Sequence, residues 1–420
     1  MRDQRDFVGR ERGHGPPRAR GDMRPHHRVD RGGRPQDHRP RRPAFIGPVR
    51  PQAGVLEIHK EGYGHLRGDI RTLRERPLQD CFVPAQLIRQ LGLRPGSYVE
   101  GEVSTEKKKE FYVLRNVLRV DGLLPDAAAL RPRFTDLAAV DPQEKYRLED
   151  SRHDISLRVL DLITPIGKGQ RCLVISPPRA GKTMLLQKIA RAIAENHPDT
   201  HIMVVLIDER PEEVTDWRRT TDGEIVSSCS DESPANHVRV SELALARAKR
   251  LVETGRDVFI LMDSLTRLGR AYNLNTKETG RTLSGGLDAS VLDKPKAFLG
   301  AARDLEHGGS LTIVATCLVD TGSRLDQVIY EEFKGTGNME CILSRQLADM
   351  RVFPAVDIKV SGTRKEEKLY LPSVLRQIWT LRRVLQTLDL KRGARVFLEK
   401  LAATRTNNEF LSSFSAEALG

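Results

Sequence analysis

The segment from Ile175 to Ala190, ISPPRAGKTMLLQKIA, contains the residue types that bind nucleotide phosphates. An apolar run, RCLVIS, leads into a turn with Gly181, and a helical segment, MLLQKIARAIA, follows. Glycine lets the backbone approach an anion, Lys182 can reach the β- and γ-phosphates, and the Thr183 hydroxyl can ligate Mg²⁺. Ser176 stands where the usual pattern has its first glycine. The sequence therefore predicts a phosphate loop, with a chance GKT match as the competing interpretation.

Two other apolar runs end in carboxylates that suit phosphate chemistry. The run DVFILMD ends at Asp263, where an acid at the carboxyl edge of a sheet can hold Mg²⁺ through water. The run HIMVVLIDERPEEV carries Glu209, which could orient the attacking water. Asp263 could instead cap its strand, and Glu212 and Glu213 compete with Glu209 for the role of base.

Hydrolysis usually also needs a cation on the transferring phosphoryl group. The segment CILSRQLADMRVFPAVDIKVSGTRKEEKLY offers Arg345, Arg351 and Arg364. Arg364 follows Ser-Gly-Thr, a flexible turn that suits a finger projecting from an edge. The spacing does not select one of the three, and it leaves open whether the arginine acts on the nucleotide of its own subunit.

The elements around these residues predict an α/β domain at residues 151–420. Continuous apolar runs (RCLVIS, HIMVVLI, DVFILMD, SLTIVATCLV) are typical of buried parallel strands, and helical stretches such as SELALARAKRLVET lie between them. This alternation indicates a doubly wound sheet. After Leu371 the apolar spacing is helical, and we expect these C-terminal helices to pack on the same domain.

Residues 51–125 have a different character and predict a small barrel, joined to the α/β domain by a linker at 126–150. The runs GVLEIHKEGYGHLRG, DCFVPAQLI, GSYVEGEVS and EFYVLRNVLRV alternate as short strands between Gly and Pro turns. Aromatic residues lie among Arg67 and Lys107, Lys108 and Lys109, which suits single-stranded nucleic acid because every base offers a π-face. These aromatic residues could equally fill the core of the barrel.

Residues 1–50 predict a disordered tail. They hold fourteen arginines, six acidic residues and no lysine, and therefore carry +8 of the net charge of +12. Apolar groups are too few to offset the entropy of ordering. Guanidinium groups pair with phosphate and stack on bases, so we expect the tail to grip RNA; a merely solvated tail is the alternative.

The remaining composition excludes several classes of protein. The chain has no run of about 18 apolar residues and no apolar N-terminal segment, so neither a membrane span nor a secretory signal is expected. Its five cysteines form no CxxC pair, which argues against zinc and disulfides and suits a reducing cytosol.

Several motifs together resemble the Rho family of bacterial transcription termination factors, from about Gly54 to the C-terminus. They include TPIGKGQR, PPRAGKTMLLQKIA, LIDERPEEVTDW, DSLTRLGRAYN, DTGSRLDQVIYEEFKGTGNMECILSR and RVFPAVDIKVSGTRKEEKL. The resemblance implies an OB-fold (cold-shock-like) RNA-binding barrel followed by a RecA-like ATPase domain. It also implies a cytoplasmic homohexameric ring that uses ATP and Mg²⁺, moves 5′ to 3′ along nascent single-stranded RNA, and acts on RNA polymerase and its elongation factors.

The resemblance also implies roles for individual residues of the ATPase domain. Lys182, Glu209 and Asp263 become catalytic, and Arg364 becomes a finger from the neighbouring subunit. The implied nucleotide contacts are Gly167, Lys168, Gly169, Gln170, Arg171, Cys172, Arg179, Ala180, Gly181, Lys182, Thr183, Met184 and Arg210.

Two RNA sites are implied in the same way. The primary site comprises Gly62, Tyr63, Gly64, His65, Leu66, Arg67, Asp80, Cys81, Phe82, Lys109, Glu110 and Phe111. The secondary site comprises the pore loops Thr282, Leu283, Ser284, Gly285 and Gly286, together with Arg324; from pattern alone these could be ordinary surface loops. Three residues depart from the family pattern: His65 replaces Phe, Lys109 replaces Glu and Arg324 replaces Lys.

Two alternative functions compete with an RNA translocase. A rotary ATPase catalytic subunit would share the core sheet and phosphate loop, although the barrel and the arginine-rich tail count against it. An RNA-binding regulator that uses ATP only as an assembly switch would not need Lys182, Glu209, Asp263 and an arginine finger together.

Overall fold

The computed structural model describes residues 49–68, 80–105, 111–275, 282–283, 287–288 and 291–418. The predicted tail, apart from its last two residues, lies outside these ranges, as do Lys109, Glu110 and Ser284 to Gly286.

The first element is a closed five-stranded barrel in the order β1-β2-β3-β5-β4, which confirms the predicted barrel. Alternate residues of the strands point inward, and Leu56, Leu66, Val99 and Leu114 are buried in its core. Its strands and helix are β1 (Arg50–Ile58), β2 (Gly64–Arg67), β3 (Cys81–Val83), α1 (Ala85–Gln90), β4 (Tyr98–Thr105) and β5 (Tyr112–Val120).

The strand-like reading of AQLI in this barrel is wrong, because these residues form α1. Pro84 takes an extended conformation at the N-cap, and the chain turns into a six-residue helix directly after it. Ile88 points into the barrel core from this helix. A short apolar stretch without clear alternation fits either element, and the proline start favours the helix.

The α/β domain is built on a nine-stranded sheet with the main path β16-β15-β7-β14-β10-β8-β9, and β13 and β6 lie off this path. The five pairings from β15 to β9 along this path are parallel, as the continuous apolar runs predicted. The strands are β6 (Ala139–Val140), β7 (Arg171–Ser176), β8 (His201–Glu209), β9 (Glu224–Cys229), β10 (Asp257–Asp263), β13 (Arg303–Leu305), β14 (Ser310–Leu318), β15 (Met339–Ile342) and β16 (Gly362–Thr363); β11 (Thr282–Leu283) and β12 (Leu287–Asp288) form a separate hairpin.

Helices cover both faces of the sheet, so the sheet is buried between two hydrophobic clusters. One cluster holds the helices before and after β7 and the C-terminal helices, which contribute Ile378, Phe397 and Phe410. The other holds α6 to α9. The helices are α2 (Pro125–Leu130), α3 (Ile155–Ile163), α4 (Lys182–Asn196), α5 (Pro211–Thr220), α6 (Pro234–Val252), α7 (Leu265–Asn275), α8 (Asp293–Gly300), α9 (Arg324–Phe333), α10 (Arg345–Asp349), α11 (Pro372–Thr387), α12 (Leu390–Ala402) and α13 (Asn407–Ala418).

The barrel packs directly on α6. A Cβ atom at Gly96 would lie 2.3 Å from the backbone carbon of Ala246, so only glycine allows this close approach. Arg94 of the barrel donates to Glu253 at 3.0 Å, beyond the end of the helix. The barrel therefore packs against the α/β domain at a defined interface.

Candidate nucleotide site and RNA face

The phosphate loop lies between the end of β7 and the start of α4. Gly181 has a φ of 88°, a left-handed conformation that glycine adopts without strain, and Arg179 has a φ of 66°. Helix α4 begins at Lys182, so free backbone N–H groups of its first turn face the loop. A helix N-terminus with this geometry is a ready site for phosphate. The missing first glycine has not prevented the loop from forming, because Ser176 is the last residue of the strand.

Lys182 lies at the centre of the polar site. Its Nζ is 2.5 Å from Asp263 Oδ1 and 3.8 Å from Glu209 Oε1. Asp263 is the last residue of β10, and its Oδ1 also accepts a hydrogen bond from Thr316 at 2.8 Å. The structure thus brings together the lysine and both acids that the sequence placed at three separate strand ends.

Glu209 is the carboxylate whose environment is most suited to proton transfer. It ends β8, is only 2% exposed, and both its oxygens lack a hydrogen-bond partner among the residues that the structure describes. Burial, and then the charge of Asp263, raise the pKa of Glu209 to about 8 in spite of Lys182 and Arg267. Arg267 Nη2 lies 3.3 Å from Glu209 Oε1 and holds the side chain in place. A base with a pKa near the working pH is effective in catalysis.

The competing acids and Arg210 occupy other positions. Glu212 is exposed in the first turn of α5, whereas Glu213 is partly buried and lines the phosphate cavity. Arg210 is exposed at the N-cap of α5 and does not line this cavity. Of these three acids, Glu209 is the one that forms an ion pair with Lys182, and Glu213 lines the same cavity.

The residues fit a Mg²⁺ ion bound together with nucleotide. Asp263 Oδ2 is buried without a hydrogen-bond partner in the described part of the chain, and Thr183 lines the same cavity, which has a volume of about 450 Å³. The described residues contain no cluster of three or more metal-binding side chains. Mg²⁺ takes one or two protein ligands and completes its shell with phosphate oxygens and water.

A second cavity of about 390 Å³ adjoins the phosphate loop and is mainly apolar. Its wall includes Met184, Phe353 and Pro354, and the ring of Phe353 lies 3.7 Å from where a Cβ of Gly181 would be. Phe353 is 47% exposed, which is unusual for so large an apolar side chain. Strand and helix periodicity does not indicate a role for Phe353, and a lone Phe before Pro in an irregular segment was the available signal.

The residues Gly167 to Cys172 lie at the other edge of the sheet from the phosphate loop. They form the turn into β7 and its first residues, and Gln170 donates to Asn338 Oδ1 at 2.7 Å. Arg364 is at this edge too, since its N–H donates to the Asn338 carbonyl at 2.8 Å. Within one chain, therefore, Arg364 and the GKGQRC segment lie together, and neither lines the phosphate cavity.

The other two candidate arginines lie nearer to the phosphate loop. Arg351 lines the apolar cavity beside Phe353. Arg345 is exposed, and its Nη2 donates to the Asp320 carbonyl at 3.3 Å. Neither contacts Lys182 or Glu209.

One residue of the predicted secondary RNA site, Arg324, lies beyond the carboxyl end of β14. Arg324 is exposed as the first residue of α9, after the loop that follows β14. This loop is braced, because Asp326 accepts from Thr321 at 2.6 Å and from Arg270 Nε at 2.8 Å. For Thr282 and Leu283 the structure describes only the backbone, as β11.

Five rings form one continuous cluster on the barrel, which we call the ring cluster: His59, Tyr63, His65, Phe82 and Phe111. Neighbouring ring centroids are 4.8–5.9 Å apart. Tyr63 and Phe82 are stacked, and each of His65, Phe82 and Phe111 is partly exposed, so these rings do not fill the core. Burial, followed by Arg67 and His59, lowers the pKa of His65, which favours the neutral ring. Accessible rings of this kind stack on bases.

Other residues of the predicted primary site are buried. Arg67 is 3% exposed and forms ion pairs of 2.6 Å with both Glu57 and Asp80. The side chains of Leu66 and Cys81 belong to the barrel core. Arg67 and Asp80 therefore support the ring cluster from beneath.

Family comparisons agree with both halves of this architecture. The family model for the RNA-binding domain of Rho termination factor matches residues 52–126. The model for the nucleotide-binding domain of the ATP synthase alpha/beta family matches residues 156–363. None of the helices in the described ranges has both the length and the apolar character to cross a bilayer.

Individual proteins show the same relationship. Transcription termination factor Rho of Aquifex aeolicus is 50% identical over 368 residues, which cover 86% of this chain and 84% of that protein. The factor of Streptomyces lividans is 50% identical over 366 residues, but the match covers only 51% of its length. Among solved structures, a type III secretion ATPase has a TM-score of 0.55 at 20% identity over 67% of this chain and 88% of its own, which shows the shared fold.

The fold and the site define a class of protein in which an RNA-binding barrel is joined to an ATPase domain of the ATP-synthase type. The chain belongs to the Rho family of transcription termination factors.

Proposed function

We propose that this protein is an RNA-dependent ATPase that moves 5′ to 3′ along nascent RNA as a helicase and terminates transcription by displacing RNA polymerase. One observation carries the proposal: the accessible ring cluster and the Lys182–Asp263–Glu209 site occur in one chain, with the barrel seated on α6. The relatives at 50% identity bear the name of a termination factor, which supports this assignment. We propose a cytoplasmic location with this activity, because nascent transcripts are made there.

In the proposed reaction, ATP binds with its phosphates on the loop from Arg179 to Thr183 and its base in the apolar cavity beside Phe353. Lys182 contacts the β- and γ-phosphates, and Thr183 and Asp263 hold Mg²⁺, which neutralises charge that develops on the phosphates. Glu209 lies close enough to Lys182 to orient water against the γ-phosphate and to accept its proton.

The position of Arg364 supports assembly into a ring. Its backbone is tied to the amino edge of the sheet, whereas the phosphate loop is at the carboxyl edge. The strand between them spans roughly 13 Å, from Cys172 to Ser176 at about 3.3 Å per residue. Arg364 is therefore suited to a nucleotide bound on a neighbouring copy, and a homohexamer would complete six such sites.

RNA is proposed to bind in two places. Bases stack on the ring cluster of the barrel, and the loops that carry Thr282 to Gly286 and Arg324 grip the strand in the pore. Movement of these loops would couple hydrolysis to translocation, because Arg324 and the phosphate loop lie at one edge of the sheet.

A rotary ATPase catalytic subunit would have the same α/β fold but would not need the barrel. Only a sheet and phosphate loop are needed for that function, whereas residues 52–126 match an RNA-binding domain. An assembly switch that binds ATP without hydrolysis would not need the buried base Glu209.

ATP hydrolysis measured with poly(C), with poly(U) and without RNA tests the proposal. We expect slow turnover without RNA and strong stimulation by at least one polymer. Full turnover without RNA would favour a rotary-type ATPase. Equally slow turnover of the wild type and Glu209→Gln under all three conditions would favour the switch.

A further inference from the structure

A third cavity, of about 500 Å³, lies between the barrel and the α/β domain. We call it the interdomain cleft. The barrel contributes Glu57, Ile58 and Pro95 to its wall, and helices α6, α7 and α8 form the opposite side. Its volume falls within the range of about 300–1,000 Å³ that is typical of ligand sites. It shares no lining residue with the two cavities at the phosphate loop.

The cleft carries an excess of positive charge. Four cationic side chains line it, against the two carboxylates Glu57 and Glu242. Glu57 is already engaged, since Arg67 lies 2.6 Å and Arg239 2.9 Å from its Oε2. The four cations are Arg239, Lys249, Arg250 and Lys294.

Two of these cations, Lys249 and Lys294, have no carboxylate within hydrogen-bond distance among the residues that the structure describes. Lys249 Nζ lies 5.6 Å from the centre of the Phe134 ring, and burial, followed by Arg303, Arg250 and Lys294, lowers the pKa of this lysine. Arg250 Nη2 donates to Glu253 at 2.5 Å, while its Nε is buried without an acceptor in the same ranges. Lys294 is largely exposed, and its nearest carboxylate oxygen, on Glu242, is 3.7 Å away. Crowded cations with unused donors are a site for an anion.

The position of the cleft indicates which anion. On the barrel side, Ile58 immediately precedes His59 of the ring cluster. On the opposite side, Tyr272 and Lys294 flank in sequence the segment that contains the loop Thr282 to Gly286. The cleft therefore adjoins the ring cluster on the barrel side, and its opposite wall belongs to the two helices that precede and follow this segment in the sequence. Its apolar wall, with Leu268 and Phe298, suits ribose and bases more than a bare inorganic ion.

We propose that the interdomain cleft binds the phosphate backbone of single-stranded RNA on its way from the ring cluster to the pore loops, with Lys249 and Lys294 as the phosphate contacts. This inference rests on the proposed function and adds a third, intermediate segment to the RNA path. A free polyphosphate offers the same phosphate chemistry, so the experiment separates the two sources.

The double variant Lys249→Gln/Lys294→Gln tests the proposal through the salt dependence of binding. Fluorescence anisotropy is measured over a KCl series with a short oligonucleotide that fills only the barrel and with a long RNA that can also reach the pore. Each lost phosphate contact lowers the slope of log K against log salt by about 0.7 for a single strand. We expect a decrease of roughly 1.4 for the long RNA and no change for the short one.

Matched variants control for net charge and folding. Lys391→Gln/Lys400→Gln removes two charges from α12 and should leave both slopes unchanged, and Lys249→Arg/Lys294→Arg should keep the wild-type slopes. An unchanged slope for long RNA in the test variant overturns the proposal. So does an equal decrease in the α12 control, because net charge would then explain the effect.

Tripolyphosphate, titrated by calorimetry against protein whose phosphate loops are saturated with ADP, distinguishes the free-anion source. Suppose that the double variant Lys249→Gln/Lys294→Gln abolishes tripolyphosphate binding but leaves the salt slopes for RNA unchanged. This result would assign the cleft to a free polyphosphate and overturn the RNA path. If RNA stimulates the ATPase activity of the wild type but the double variant does not change the salt slope for long RNA, only the cleft assignment fails. If the ATPase does not depend on RNA, the proposed function itself fails.

Discussion

Arg239 of α6 donates to Glu57 of the barrel at 2.9 Å, and Arg67 donates to the same carboxylate oxygen at 2.6 Å. One buried carboxylate thus joins the support of the ring cluster to the ATPase domain. Arg239 also donates to Asn236, near the N-terminus of α6, at 2.9 Å. The neighbouring His237 has its Nε2 3.9 Å from Asp208, the residue before Glu209. The barrel is therefore connected to the end of β8 through polar side chains.

The two arginines on Glu57 should differ in their effect on stability. Arg67→Ala leaves the buried carboxylates of Glu57 and Asp80 without their shared partner, and should lower the free energy of unfolding by about 3–5 kcal/mol. Arg239→Ala leaves Glu57 paired with Arg67, and should cost about 1 kcal/mol. Urea denaturation, followed by far-UV circular dichroism, measures both.

The order of these two effects is the critical outcome. Equal destabilisation by Arg67→Ala and Arg239→Ala would show that the Glu57 carboxylate needs both ion pairs. The ion pairs within the barrel would then not be sufficient to stabilise this carboxylate. Arg119→Ala provides a control, because the side chain of this exposed arginine of β5 has, within the described ranges, a single hydrogen bond, to the Gly122 carbonyl at 3.0 Å.

The sequence predicted the grouping of Lys182, Asp263 and Glu209 better than the surroundings of this group. Lys182, Asp263 and Glu209 follow buried parallel strands, and the carboxyl ends of such strands meet at one edge, so strand patterns were sufficient to bring them together. Phe353 lies in irregular chain, where no periodicity indicates what a side chain faces. The burial of Arg67 was also missed, because an arginine among aromatic residues suggests an RNA contact until its two carboxylate partners are seen.

Glu209→Gln should reduce RNA-saturated ATP turnover by about 10²–10⁴-fold, because glutamine fills the same space but cannot accept the proton of water. Nucleotide affinity should change little, since in the proposed complex the phosphates contact Lys182 and the loop rather than Glu209. Steady-state hydrolysis and binding of a fluorescent nucleotide measure the two properties. Glu212→Gln, at an exposed position of α5, should retain turnover within a factor of about two. A larger loss at Glu212 than at Glu209 would move the base to that residue.

The raised pKa of Glu209 also predicts how stability depends on pH. Its value of about 8 in the folded state lies above the ordinary 4.5, so the folded state holds this proton more tightly than the unfolded chain. The stabilisation is complete at low pH and is lost as the pH rises from about 4.5 to about 8. Glutamine cannot ionise, so Glu209→Gln should gain stability relative to the wild type as the pH rises from about 5 to about 9.

Thermal unfolding of nucleotide-free protein over this pH range provides the measurement. The difference in melting temperature between Glu209→Gln and the wild type should be larger at the alkaline end. A difference that is constant with pH would mean that Glu209 titrates normally in the folded protein. Glu212→Gln removes one carboxylate at an exposed position and controls for the change in net charge.

Phe353→Ala should weaken ATP binding while leaving the chemical step intact. The ring forms one wall of the apolar cavity beside the phosphate loop, and stacking on a base contributes about 1–3 kcal/mol, which corresponds to a rise in KM of roughly 5- to 150-fold. Phe353→Tyr keeps the aromatic face and should preserve KM. If Phe353→Ala reduces kcat and leaves KM unchanged, the ring acts on the loop and not on the base. Steady-state kinetics at saturating RNA separates these outcomes.

Mixed oligomers test whether Arg364 acts on a neighbouring subunit. Arg364→Ala and Lys182→Ala should each abolish hydrolysis when assembled alone. In a mixture, an Arg364→Ala subunit supplies an intact phosphate loop and a Lys182→Ala subunit supplies an intact arginine, so some seams become active and turnover returns in part. An arginine acting within its own chain would leave every site with one defect, and the mixture would stay inactive. The comparison uses Arg345→Ala in place of Arg364→Ala. Arg345 lies beside Asp320 at the carboxyl edge. The Arg345→Ala protein should hydrolyse ATP when it is assembled alone.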